Sequence, residues 1–248
     1  MRKLTLGLVL AASLLSAAPV FALRTEGNTV IIPVIGRFPG TGGTQWRTDV
    51  FIHNAYMPGQ TVTLRFYPTG GAMLQRTVTL QQYSGAHLPD VVLNTFSMPL
   101  AAGVLEVSGQ SILARARIYN TGNPAGEFGQ SVPGIAKERL SRQALLHGIS
   151  GAAGNRVNIG VANPNDVPVT VALYIGNATN IPLHSQSVTL QPHSYVQFSD
   201  IFNTFGIAPQ TAVAVQFNAV ELPIYGYASE VRNDTGDAVF TFGTNPNA

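Results

Sequence analysis

The sequence predicts an all-β chain of two tandem antiparallel β-sandwiches, immunoglobulin-like in size, each with one short helical turn. Three observations carry this. First, Gln45-Trp-Arg-Thr-Asp-Val-Phe-Ile-His-Asn54 and Gly154-Asn-Arg-Val-Asn-Ile-Gly-Val-Ala-Asn163 follow one pattern: an Arg, alternating polar and apolar residues, then Asn before a turn. Arg47 and Arg156 lie 109 positions apart, which is too long for a solenoid unit and suits a repeated domain. Second, short runs rich in β-branched and aromatic residues are punctuated by Gly, Pro and Asn roughly every 8–12 residues, giving about seven strands per copy. Third, no long segment shows the period of about 3.6 residues expected of an amphipathic helix, which argues against βαβ folds.

In chain order, residues 1–22 read as a signal peptide. Arg2 and Lys3 precede the apolar run Leu4 to Leu15, and Val20-Phe21-Ala22 is a small-x-small cleavage site. Residues 23–28 form a short leader, and 29–134 the first sandwich. Thr29 to Ile35 is its opening strand, with Pro33 marking a sheet edge or bulge. The repeat strand follows, with Val50 and Ile52 on one face and Arg47, Asp49, Phe51 and His53 on the other. Thr61 to Tyr67 and Met73 to Leu80 form a hairpin across Pro68 to Gly71. Asp90 is placed to cap one or two helical turns that tuck Val91, Val92 and Phe96 under the sandwich end. Gly103 to Val107, Ile112 to Tyr119 and Glu127 to Val132 complete the copy.

Residues 135–142 carry four of the mature chain's 24 charges and read as a solvated linker. Residues 143–248 repeat the plan. Ala144 to Ile149, Gly154 to Asn163 and Val169 to Ile175 match the first three strands. Val188-Thr-Leu190 repeats Val78-Thr-Leu80, and Asp200 to Phe205 repeats Asp90 to Phe96 with one residue deleted. Ala212 to Phe217, Pro223 to Val231 and Ala238 to Thr244 close the copy.

Composition narrows the function classes. The chain holds 248 residues, 45% hydrophobic and 10% charged, ample for two cores. It has 14 Lys+Arg against 12 Asp+Glu, but Arg2 and Lys3 fall in the signal. The mature chain is therefore neutral, and neither nucleic acid nor an anionic membrane is an expected partner. There is no cysteine, so disulfides, Cys-ligated metals and thiol nucleophiles are excluded. No cofactor and no membrane insertion after signal cleavage are expected.

Arg47-Thr48-Asp49 with Arg156-Val157-Asn158, then Asn163-Pro164, Val169-Thr170-Val171 and Gln197-Phe-Ser-Asp-Ile-Phe202, form a set of recurring words. In them the chain resembles tandem immunoglobulin-like modules of secreted bacterial proteins, over nearly all of the mature sequence. Asn54-Ala55 departs from the Asn-Pro word. The resemblance implies the fold and export, and no activity.

No constellation carries chemistry. Asp234-Thr235-Gly236 matches an aspartic-protease tripeptide once, where two are needed, and reads as a turn. Asp234 with Asp237 is a weak calcium candidate. His53, His87, His147, His184 and His193 lack metal-ligand spacing. The motif residues Arg47, Asp49, Asn54, Asp90, Arg156, Asn158, Asn163 and Asp200 read as scaffold: Arg47 paired with Asp49 or clamping carbonyls, Asn54 and Asn163 tying the following turns. Trp46, Tyr56, Tyr67, Tyr83, Tyr225 and Tyr227 are the candidate ligand contacts. The expectation is an exported, non-enzymatic structural, adhesion or binding protein that meets a protein or polysaccharide at the cell surface. It would be periplasmic, surface-held or secreted. The alternative is a carbohydrate-binding module using exposed tyrosines.

Overall fold

The computed structural model describes residues 26–210 and 212–245; the signal segment and the first three residues of the leader lie outside them. The protein is all-β and antiparallel. The first half contains β1 (Gly27–Pro39), β2 (Gln45–Asn54), β3 (Gln60–Pro68), β4 (Leu74–Leu80), β5 (Gly85–Leu88), α1 (Val91–Asn94), β6 (Ala101–Asn120) and β7 (Phe128–Pro133). A two-residue β8 (Ile135–Ala136) follows. The second half contains β9 (Gln143–Ile149), β10 (Asn155–Ala162), β11 (Val169–Asn177), β12 (Pro182–Leu190), β13 (Tyr195–Phe198), α2 (Ile201–Thr204), β14 (Val213–Ala219), β15 (Tyr225–Arg232) and β16 (Ala238–Phe242).

The second half is a sandwich of two four-stranded sheets, ordered β12-β11-β14-β9 and β13-β10-β15-β16. The first half has the same order, β4-β3-β6-β1 and β5-β2-β6-β7, except that β6 runs through both sheets. Where two strands were expected, β6 is one bent strand. It turns at Gly109 to Ser111, with Ser111 at φ 47. The Gln60 side chain holds the bend: Gln110 N–H donates to its Oε1 at 2.7 Å, and its Nε2 donates to Gln110 O at 2.8 Å. In the second half the equivalent point is the Pro223-containing loop between β14 and β15. Each half thus has eight strand segments rather than about seven. The additional ones are the short edge strands β5 and β13, too brief to show alternation.

The repeat strands alternate as their sequences require. Thr48, Val50, Ile52 and Asn54 point inward and are buried, as are Val157, Ile159 and Val161. Pro33 sits in a register shift between Ile32 and Ile35, so it marks a bulge in a strand paired on both sides. Val91, Val92 and Phe96 are buried beneath the first sandwich end, and Ile201 and Phe202 beneath the second. The expected linker is strand-paired at its start: Ile135 and Ala136 are buried and pair with Ile31 and Val30. Two apolar side chains there gain more by joining the core than by following the charges of Lys137 to Arg139 into solvent.

The two halves are docked, and the core of the first continues onto the second through Ala162, Tyr225, Tyr227, Val231 and Ala238. Tyr225 Oη donates to Pro133 O at 2.7 Å, and Ser229 Oγ to Gln130 Oε1 at 2.9 Å. Asn123 Nδ2 donates to Thr235 O at 3.2 Å. Among the described residues, no helix is long and apolar enough to cross a bilayer.

Candidate functional site

The halves differ in what covers the outer face of the β2 or β10 sheet. Cross-strand register makes the comparison residue by residue. In the first half the rows are His53–Leu113–Gly85, then Phe51–Arg115–His87, Asp49–Arg117 and Arg47–Tyr119; β7 adds Pro133, Ser131 and Gly129 to the last three. In the second half the same rows are Ala162–Tyr225–Tyr195, Gly160–Tyr227–Gln197, Asn158–Ser229 and Arg156–Val231, with Phe242, Phe240 and Ala238 from β16. The second set lies against the first sandwich. The first set is open.

The chemistry follows the covering. The covered face is Tyr, Phe, Gly, Ala, Val, Ser, Asn and Gln, with Arg156 alone charged. Gly160 is required there because a Cβ would fall inside the Tyr227 ring lying across it. On the open face the same position is Phe51. The His87 ring stacks on it at 4.5 Å and 1° from parallel, and the Arg115 guanidinium sits 4.3 Å from its centroid. Arg117 lies 4.4 Å over Tyr119 and pairs with exposed Glu127 at 3.3 Å. The turn above repeats the contrast. His193 stacks on Tyr67 of the first half at 4.1 Å, whereas its counterpart Tyr83 is 65% exposed. A depression of about 360 Å³ is lined by Phe51, His53, Leu113, Arg115, Ser131 and Pro133.

The motif residues build the scaffold under this face. Asp49 Oδ1 accepts Asp90 N–H at 2.9 Å and Tyr119 Oη–H at 3.0 Å; Oδ2 lies 2.9 Å from His87 Nε2. Burial pushes the Asp49 carboxyl up, but these hydrogen bonds outweigh it and hold it below the usual carboxylate range. Tyr119 is pushed up to about 12 by burial and by its bond to Asp49. Asn158 Oδ1 accepts Asp200 N–H at 3.1 Å in the same way.

Two expected roles change. Asp90 stands at the helix start but makes no side-chain cap; its φ of 39 is left-handed. Its carboxylate is drawn to Arg37 at 3.2 Å and Arg47 at 3.7 Å, two guanidiniums that outcompete neutral amides. Arg47 therefore pairs with Asp90 rather than Asp49, and also donates to Trp46 O at 2.7 Å. Arg156 donates to Asn233 Oδ1 at 2.8 Å. Buried Asn54 donates to Met57 O and Gln81 O; Asn163 donates to Val167 O and Gln191 O.

Among the candidate contacts, Trp46, Tyr225 and Tyr227 are buried, Tyr67 is taken by His193, and only Tyr56 and Tyr83 are exposed. The six therefore form no platform, because three of them supply the contact between the halves. Trp46 and Tyr227 instead wall an interdomain cleft of about 260 Å³ with Arg156, Asn158, Gln197 and Asp200. Asp234 is held by Arg232 at 2.7 Å, which lowers its carboxyl to about 2, and Asp237 accepts Ala238 N–H at 3.1 Å. No cluster of three or more His, Asp or Glu converges among the described residues. His193 lies 2.8 Å from Asp166 at the junction of the halves, but its buried Nδ1 faces no hydroxyl.

No family model matches the sequence, and no curated protein matches it. Solved structures it is similar to include a presumed secreted protein from Parabacteroides distasonis, at 10% identity and TM-score 0.21, covering 90% of this chain and 83% of that one. A β-glucuronidase from Parabacteroides merdae matches at 9% identity and TM-score 0.18, covering 86% of this chain but 26% of the enzyme. A glycosyl hydrolase family 2 member from Bacteroides cellulosilyticus matches at 11% identity and TM-score 0.16, with 84% and 30% covered. At such TM-scores these likenesses assign neither fold nor activity.

Proposed function

We propose that the protein is an exported, non-enzymatic binding protein whose working surface is the outer face of the first sandwich. The observation that carries this is the contrast between equivalent faces. One is covered by the other half and carries Arg156 as its single charge; its counterpart carries Arg115 and His87 exposed, with Arg117 and His53 half-buried beside them. The basic start, apolar run and small-x-small site support export. The His193–Asp166 pair lies at the junction of the halves, with His193 Nδ1 buried there. Its ring is stacked on Tyr67 and serves the contact between halves.

The test is a pulldown with residues 23–248 from surface extracts, paired with a glycan array. The double variant Arg115→Gln/Arg117→Gln should abolish capture, while His147→Ala, exposed on the opposite sheet of the second sandwich, should leave it intact. Capture unchanged by the double variant would sink the proposal.

A further inference from the structure

Resting on that reading, we infer that the open face binds an acidic polysaccharide: a chain of carboxylate-bearing sugars running from Tyr83 past His53 to Arg115 and Arg117. Charge is the first argument. Arg115 has no acidic partner among the described residues, and Arg117 shares only the exposed Glu127. Asp49, the one acid within the rows, is committed to Asp90, Tyr119 and His87. The face is thus short of anions. Its Arg115 guanidinium sits 4.3 Å from the centroid of the Phe51 ring, which is itself stacked on His87. A guanidinium fixed in this way loses little freedom on binding and presents its fork of N–H donors to a planar carboxylate.

Size and surface point to sugar. The face spans four strands and about seven residues, on the order of 20 Å by 20 Å. That is about half of the ~800 Å² per partner of a standard protein interface. The depression of about 360 Å³ falls in the range of small-ligand sites. Outside the depression, in the turn two residues before the Gly85 that pairs with His53, stands Tyr83, 65% exposed, with a ring open to stacking. Ser131 adds an exposed hydroxyl beside Arg117. A second copy of the chain is disfavoured. Covering this face as the second half is covered would bury Arg115 with no acid to match it, and a buried unpaired charge opposes association.

Calorimetric titration of residues 23–248 with oligogalacturonate, dextran and polyglutamate tests this, with sedimentation velocity alongside. Oligogalacturonate should bind and dextran should not. Arg115→Gln and, separately, Tyr83→Ala should each weaken oligogalacturonate binding about tenfold or more with the thermal midpoint unchanged. Added salt should weaken it too. Polyglutamate binding as well as oligogalacturonate, or Arg115→Gln binding like wild type, would overturn the inference. So would self-association abolished by Arg115→Gln. Loss of a protein partner in the double variant without any oligogalacturonate binding would overturn it too, while leaving the open-face function standing.

Discussion

Gly160→Ala probes the feature that separates the two faces. Gly160 pairs directly across the sheet with Tyr227, whose ring lies over it. An added Cβ would come 2.6 Å from Cε1 and closer still to Cζ. Tyr227 cannot swing aside: it is 1% exposed, stacks on Phe240 at 5.4 Å and donates to Gln197 at 3.2 Å. Over-packing of this kind costs about 1–3 kcal/mol. In a chain of this length that is about 2–12 °C in thermal midpoint, at roughly 2–4 °C per kcal/mol. The assay is a double-mutant cycle in urea. Gly160→Ala should cost about 1–3 kcal/mol alone and close to nothing in a Tyr227→Leu background, because the clash leaves with the ring. Equal costs in both backgrounds would refute the account. A glycine needed only for backbone freedom gives that result.

Other outcomes are set by the same geometry. Asn163→Ala leaves Val167 O, Gln191 O and Asn165 N–H without their side-chain partner in a fully buried site. At about 1–3 kcal/mol per stranded group it should destabilise by at least about 3 kcal/mol, read in urea melts. The folded-state Asp49 carboxyl is lowered, so its contribution is present above the unfolded value of about 3.9 and lost as pH falls through the folded value. Asp49→Asn should flatten that acid limb of the stability curve, while its retained carbonyl still accepts Asp90 N–H as Asn158 accepts Asp200 N–H. Tyr225→Phe should cost about 1 kcal/mol by stranding Pro133 O, and amide exchange should rise at the junction of the halves.

The sequence made the scaffold readable because its inner positions obey simple rules. Val50 and Ile52 alternate against Arg47, Asp49, Phe51 and His53, and burial follows that alternation except at Asp49, which is buried where it bonds His87, Tyr119 and the Asp90 backbone. Pro33 announced its bulge by lacking an N–H. Four-residue β5 and β13 stayed hidden because they carry no alternation to read. The continuity of β6 depends on Gln60, some fifty residues away and invisible to local pattern. The reversal of the Asp90 cap needed Arg37 and Arg47 brought together in space. The covered face did leave a trace in the chain. Val157 to Ala162 loses the polar alternation of its counterpart, with Gly160 and Ala162 standing for Phe51 and His53. A strand so depleted of large polar groups is buried on both sides.

That trace turns the comparison of the two halves into an argument about function. A charge placed on the covered face would have to be desolvated, so the scarcity of charge there follows from geometry, Arg156, which donates to Asn233, being the exception. No such constraint explains the opposite choice. An open sheet face is soluble with Thr, Ser and Gln, as the outer residues Ser185, Ser187 and Thr189 of β12 show. Stacking His87, Phe51 and Arg115 in one cross-strand row goes beyond solubility, because it orders a guanidinium that would otherwise be free. Side-chain ordering opposes stability at an exposed site unless a contact repays it. On the proposed reading the row serves recognition, and the shared Arg, Asn and Asp words beneath it build the scaffold that carries it.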